Sequence, residues 1–183
     1  IESEFRGVHD SAKCRKIKVA LVGNPNSGKT TLFNYISGLR ERVGNYSGVT
    51  VGEKTAEVRS GDYILSITDL PGTYSLTSYS DDEKVVHDFI IDDIPDIVVN
   101  VVDASNLERN LYLTTQLIDM DLKVIVALNM YDELENSGTK FDSVMLGKMI
   151  GIPFVPTVAA RNIGIESLIS KIISCYNDTE PDI

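Results

Sequence analysis

The stretch Gly23-Asn24-Pro25-Asn26-Ser27-Gly28-Lys29-Thr30 constrains this chain more than any other. Its G-x-x-x-x-G-K-T spacing is that of a phosphate-binding P-loop. Ile17, Val19 and Leu21 alternate before it as in a strand, and Leu32, Ile36 and Leu39 follow it at helical spacing. Strand, glycine loop and helix in that order predict a βα unit with the loop at the carboxyl end of the strand. Gly23 and Gly28 let the backbone curl and approach a phosphate with no Cβ in the way. The curl turns successive N–H groups inward, forming an anion nest backed by a helix N-terminus. Lys29 is expected to reach the β- and γ-phosphates of a nucleoside triphosphate and Thr30 to ligate Mg²⁺, with Thr31 beside them.

The 183 residues suit one α/β domain with a full core, and a hydrophobic content of 43% makes it globular. A net charge of −10 argues against a nucleic-acid partner, because phosphate backbones are held by Lys and Arg. Cys14 and Cys175 lie near opposite ends without metal-ligand spacing and read as free thiols. No run reaches the roughly 18–20 apolar residues of a membrane helix, and no signal peptide is visible. Residues 1–15 carry no period and read as a linker or a domain edge. Residues 16–176 form the domain, and 177–183 a frayed polar tail. His9 and His87 lack partner motifs and read as surface residues.

Strand and helix patterns alternate along the chain. Val51 to Val58 and Tyr63 to Thr68 read as strands joined by a Ser60-Gly61-Asp62 turn. Asp81 to Ile91 is expected to be helical, with its acidic start favourable to the helix dipole. Asp96 to Val102 is the next strand. Ser105 and Glu108 match a capping box for a helix with Leu107, Leu111, Thr114 and Ile118 on one face. Val124 to Leu128, a short helix over Asp142 to Met149, a strand at Phe154 to Thr157 and a final helix through Ile173 complete the pattern. One hairpin plus repeated βα units predicts a doubly wound, mostly parallel six-stranded sheet with one antiparallel edge strand. Ligands sit at the carboxyl ends of such strands, where each further motif falls.

Asp69-Leu70-Pro71-Gly72 follows the third strand. An Asp there holds Mg²⁺ through a water, and the glycine N–H senses the γ-phosphate. Asn129-Met130-Tyr131-Asp132 resembles the N-K-x-D guanine motif. A carboxylate at Asp132 can accept from guanine N1–H and the 2-amino group together, a donor pair that adenine lacks, and Asn129 would tie the base loop to the P-loop. Met130 replaces the usual Lys, keeping apolar contact with the base and losing the charge. Val158-Ala159-Ala160 stands where a backbone N–H would meet guanine O6, through Ala159. Gly48-Val49-Thr50-Val51 lies where switch I supplies a threonine to Mg²⁺ and the γ-phosphate. Thr73 occupies the place of the usual water-orienting glutamine, which predicts slow hydrolysis. The Asn26 carboxamide is expected to hold a monovalent cation against the phosphates. The catalytic set is thus Lys29, Asn26, Thr50 and Gly72.

Beyond these motifs the chain resembles the GTPase domain of ferrous iron transport protein B, a TrmE-Era-like member of the Ras-like P-loop GTPase fold. The resemblance spans roughly Ile17 to Ile173 and rests on Gly23–Asn34, Val43–Val51, Asp69–Leu76, Val101–Leu117 and the NMYD string. It implies GTP hydrolysis that is slow and stimulated by K⁺ through the asparagine at Asn26, with Mg²⁺ as cofactor. It also implies a place on the cytoplasmic face of the inner membrane, with helical and transmembrane domains following in the same polypeptide. This stretch by itself reads as soluble. The resemblance leaves open a homo-oligomer, and a fused partner ahead of the polar N-terminal segment. The alternative is an RNA- or ribosome-associated GTPase, which shares the N-P-N-x-G-K-[ST] loop; the charge opposes it. A nucleotide-binding module without turnover is disfavoured by the presence of Lys29, Thr30, Thr50 and Asp69.

Overall fold

The computed structural model describes residues 14–39, 42–44, 54–77, 79–138 and 141–178. Among them, strand β1 (Arg15–Gly23) leads through the P-loop into helix α1 (Lys29–Leu39). Then come β2 (Arg42–Gly44), β3 (Lys54–Ser60), β4 (Tyr63–Asp69) and α2 (Asp81–Asp93). Next are β5 (Ile97–Asp103), a 3₁₀ turn at Ala104–Asn106, α3 (Leu107–Asp119), β6 (Val124–Asn129) and α4 (Tyr131–Asn136). The chain closes with α5 (Ser143–Ile150), β7 (Phe154–Pro156), a second 3₁₀ turn at Ala159–Arg161 and α6 (Ile165–Asn177).

The sheet runs β2-β3-β4-β1-β5-β6-β7. β1 lies parallel between β4 and β5, and β6 and β7 extend the parallel half. β3 pairs antiparallel with β4 across the two-residue Gly61–Asp62 turn, where Gly61 takes φ 59°. This is the expected mixed sheet of six strands, lengthened by the three-residue β2 outside β3.

β1 is buried on both faces, as a central parallel strand must be. Ile17, Val19 and Leu21 pack with Leu32 and Ile36 of α1 and with Leu168, Ile169 and Ile172 of α6. Ala20 and Val22 face the other side, with Val86, Ile90, Leu113 and Leu117 of α2 and α3. The strand order reverses at β1, so its carboxyl end opens into a crevice.

Two local readings change. Helix α3 does not begin with a Ser105–Glu108 capping box. The Asp103 carboxylate instead accepts from the Ser105 N–H and hydroxyl (2.8 and 2.7 Å) and from Asn106 Nδ2 (2.8 Å), tightening a 3₁₀ turn, and the helix starts at Leu107. A short acceptor beside its own backbone competes well for nearby N–H groups. Burial pushes the Asp103 carboxyl up, but the hydrogen bonds from Ser105 and Asn106 outweigh it and hold the group below its ordinary range. The buried face of α3 is Asn110, Leu113, Thr114 and Leu117, turned from the expected stripe. Of its two polar members, Thr114 accepts from Asn100 Nδ2 of β5 at 2.7 Å and Asn110 Nδ2 donates to Asn106 O at 2.8 Å.

Candidate nucleotide-binding site

A cleft of about 550 Å³ opens over the P-loop, with Asn26, Lys29, Thr30, Gly72 and Met130 in its walls and Asp82 of α2 at its rim. Lys29 opens α1 and is 7% exposed, so its ammonium needs a partner. Asp69, at the end of β4, provides it at 2.5 Å, and Thr30 Oγ1 donates to the other carboxylate oxygen at 3.1 Å. Oxygen donors from one hydroxyl and one carboxylate suit Mg²⁺, which takes few protein ligands and fills its shell with phosphate and water. Among the described residues no cluster of three His, Cys, Asp or Glu offers a fuller cage.

The base side is built around Asn129, which is 3% exposed at the end of β6. Its Nδ2 donates to the Ser27 carbonyl of the P-loop at 2.9 Å, while Oδ1 accepts from Ala159 N–H at 2.9 Å and from the Thr157 hydroxyl at 3.3 Å. One side chain thus fastens the P-loop to the loop after β7. Gly28 has to be glycine beneath it: φ is 84°, and a Cβ there would lie 2.2 Å from Asn129 Nδ2. Met130 takes a left-handed conformation (φ 57°) that turns the chain into α4, whose first turn carries Asp132. Asp132 Oδ2 lies 3.4 Å from Arg161 Nη1.

Residues 17–172 match the family model of ferrous iron transport protein B. The chain belongs to that family. It is 53% identical over 161 residues to an Fe(2+) transport protein A/Fe(2+) transporter FeoB fusion protein of Porphyromonas gingivalis, covering 87% of this chain and 19% of the relative. Its fold matches the FeoB G-domain of Methanococcus jannaschii with a TM-score of 0.80 and 41% identity, over 90% of this chain and 99% of that one. A mutant S. thermophilus NFeoB bound to GDP is similar at 48% identity and a TM-score of 0.75, over 85% of this chain and 61% of that one. The chain spans about a fifth of the length of the curated relatives it matches. What is in hand is a FeoB G domain with the P-loop GTPase fold.

In this FeoB G domain the described residues of the segment after β4 are tightly tied. Gly72 passes so close to the P-loop that an added Cβ would lie 3.1 Å from Pro25 Cα. Thr73 N–H donates to the Gly23 carbonyl at 3.0 Å, and its hydroxyl to Ser75 O at 2.7 Å. Leu76 N–H donates to Gln116 Oε1 of α3 at 2.9 Å. Glu83 gathers the rest: its carboxylate accepts from the Ser75 hydroxyl (2.8 Å), the Thr77 hydroxyl (3.1 Å) and Tyr79 N–H (3.0 Å). The Ser75 bond, helped by Tyr79 and Thr77 and opposed by desolvation, holds the Glu83 carboxyl below its ordinary value. Ser80 Oγ accepts from Glu83 N–H at 3.2 Å and caps α2. The acidic run Asp81-Asp82-Glu83 is therefore more than a dipole complement, and the Ser80-x-x-Glu83 pattern was the signal for it. The Arg109 guanidinium sits 4.3 Å from the ring centre of Tyr74.

Several expected residues stand differently. Ala159 N–H is committed to Asn129, so it is not a free donor for a base oxygen in this arrangement. Val158 is buried and Ala160 is exposed. Leu70 is buried, Pro71 is half-buried, and Thr31 and Pro25 are exposed. Asn24 is 4% exposed, and its amide, like the Ser27 hydroxyl, has no hydrogen-bond partner among the described residues. Gly48, Val49, Thr50 and Val51 lie outside the described residues, as do 1–13 and 179–183. Glu83, Gln116, Asp103 and Arg161 were missed from the sequence.

Proposed function

We propose that this domain is a guanine-nucleotide switch that hydrolyses GTP to GDP and phosphate slowly, with K⁺ as activator, and that it regulates or drives ferrous iron uptake from the cytoplasmic face of the inner membrane. The observation that carries the reading is the Asn129 node. It joins the P-loop to the base loop, and so sets the loop that leads to Lys29 beside the strand end that leads to Asp132. The G domain is taken as 16–176, with its partners being guanine nucleotide and the rest of a transporter in the same polypeptide.

Each residue then has a task. The P-loop N–H groups receive the phosphates. Lys29 exchanges the Asp69 carboxylate for β- and γ-phosphate oxygens. Thr30 and Asp69 would hold Mg²⁺, which when bound would neutralise phosphate charge, and Thr50 is assigned to the same ion. Gly72 offers its N–H to the γ-phosphate. Asp132 reads guanine N1–H and the 2-amino group, with Met130 against the base. Slow turnover is supported by Thr73, which is 2% exposed and spends its hydroxyl on Ser75 O, so this side chain is not free to orient water. Asn26 is exposed at the cleft with φ 67°, a position that suits its carboxamide oxygen to K⁺.

The test is nucleotide titration and turnover. Lys29→Ala is expected to abolish GDP binding, and Asp132→Asn to shift preference from GDP to XDP. Unchanged GDP affinity in both variants overturns the reading. Native turnover should be faster in K⁺ than in Na⁺ and lose that difference in Asn26→Ala; equal native rates remove the cation role. Retardation of RNA in a gel at moderate salt would favour the RNA-associated alternative.

A further inference from the structure

Asp132 is already engaged by a group that resembles its expected ligand. Guanine presents N1–H and a 2-amino group as two parallel donors on a planar edge. A guanidinium presents the same fork of planar N–H donors. Arg161 Nη1 lies 3.4 Å from Asp132 Oδ2, and among the described residues it is the cation paired with that carboxylate. The pair bridges the first turn of α4 and the 3₁₀ turn after β7. Arg161 is fixed at its backbone, donating to Val158 O at 3.0 Å and followed by left-handed Asn162 (φ 57°). The same turn is pinned to Asn129 through Ala159 N–H. The side chains are 65% and 24% exposed, so the guanidinium can swing into solvent.

We propose that Arg161 is an internal surrogate for the guanine edge. It occupies and neutralises Asp132 and keeps α4 and the base loop in register, and guanine must displace it to bind. This rests on the guanine reading of Asp132. An occupied carboxylate lowers apparent affinity in proportion to the fraction of molecules in which it is free. Exposed ion pairs are weak, so the latch is worth about two- to fivefold in affinity. It acts on the nucleoside end of the cleft, away from Lys29 and Asp69.

Binding of GDP carrying a methylanthraniloyl fluorophore tests this on the whole chain. Arg161→Met, which keeps the stem and removes the fork, should bind about two- to fivefold tighter, chiefly through faster association. Arg161→Lys should fall between. The ratio of variant to native affinity should approach one as ionic strength rises, because salt screens the pair. In an Asp132→Asn background, read with XDP, Arg161→Met should have no effect. Weaker or unchanged GDP binding by Arg161→Met with native thermal stability overturns the proposal, as does an equal effect in both backgrounds. Should Arg161→Met unfold, Arg161→Lys alone decides by the same signs. Native protein that does not prefer GDP to ADP fails the guanine reading instead, a separate result.

Discussion

Replacing Asn129 by Ala removes a side chain that spans the P-loop and the base loop. Three groups lose their partner: the Ser27 carbonyl and the Ala159 N–H, each at 2.9 Å, and the Thr157 hydroxyl at 3.3 Å. Thr157 and Ala159 are buried to within 1%, so water reaches them poorly. A buried group stripped of its hydrogen bond costs about 1–3 kcal/mol. The long Thr157 contact adds little, since a hydroxyl can rotate to another acceptor. Two well-made bonds therefore put Asn129→Ala at about 2–6 kcal/mol of destabilisation, brought toward the lower end if water fills the space. That is a large share of a typical ~5–15 kcal/mol. Asn129→Asp separates the two sides. It keeps the acceptor for Ala159 and sets an oxygen against the Ser27 carbonyl, so only the P-loop link is broken. Urea unfolding at constant m reads both variants, and GDP titration should show both weakened. An Asn129→Ala midpoint within about 0.5 kcal/mol of native would refute the node as what holds the two loops together, that being the usual scatter of inert surface changes.

Two further outcomes follow from the same geometry. Gly28→Ala should abolish nucleotide binding and lower stability, because its Cβ would fall 2.2 Å from Asn129 Nδ2 at φ 84°; calorimetric GDP titration and thermal unfolding check it. The Glu83 clamp should respond to pH with a definite sign. Its carboxyl is lowered in the folded chain, so its stabilisation is fully present above the ordinary glutamate value near ~4.3 and is lost as pH falls through the lowered one. Hydrogen exchange at Tyr79 N–H should stay protected down to that window in native protein and lose both protection and pH response in Glu83→Gln. Protection indifferent to the substitution would remove the clamp.

The phosphate side was legible because its chemistry is local. The eight motif residues run without a break from the strand end through the loop into the first helical turn, so spacing alone places Lys29 and Thr30. Asp69 and Asp132 were legible for a similar reason: Asp69 ends β4 and Asp132 lies just past the end of β6, both strands have readable buried runs, and parallel strands bring such ends to one edge. What escaped was decided across the fold. Nothing near Arg161 signals that its turn would face α4. Ser105 looked like a cap because the pattern was right, but its own N–H and hydroxyl donate to Asp103, which ties it into a 3₁₀ turn ahead of the helix. The α3 stripe turned because Asn110, polar in sequence, is buried beside Leu113 and Leu117 once its Nδ2 donates to Asn106 O and its Oδ1 accepts from Asp103 N–H.

The bonds also divide the cleft into two mechanical units. The base loop is bound to the P-loop through Asn129. The segment after β4, switch II in the proposed GTPase, is bound instead to α2 and α3, through Glu83 and Gln116, and reaches the P-loop side by the Lys29–Asp69 pair, the Thr30–Asp69 hydrogen bond and the Thr73–Gly23 bond. A phosphate that draws Lys29 away from Asp69 therefore breaks one of those links directly, with no base contact involved. Changes at Asp132 or Arg161 should alter how tightly nucleotide is held but not how switch II responds to it. Triphosphate and diphosphate forms of xanthosine, bound to Asp132→Asn, should then produce the same difference in Tyr79 exchange that GTP and GDP produce in the native domain. If that difference vanished with the base contact changed and the phosphates intact, the two units would have to be one.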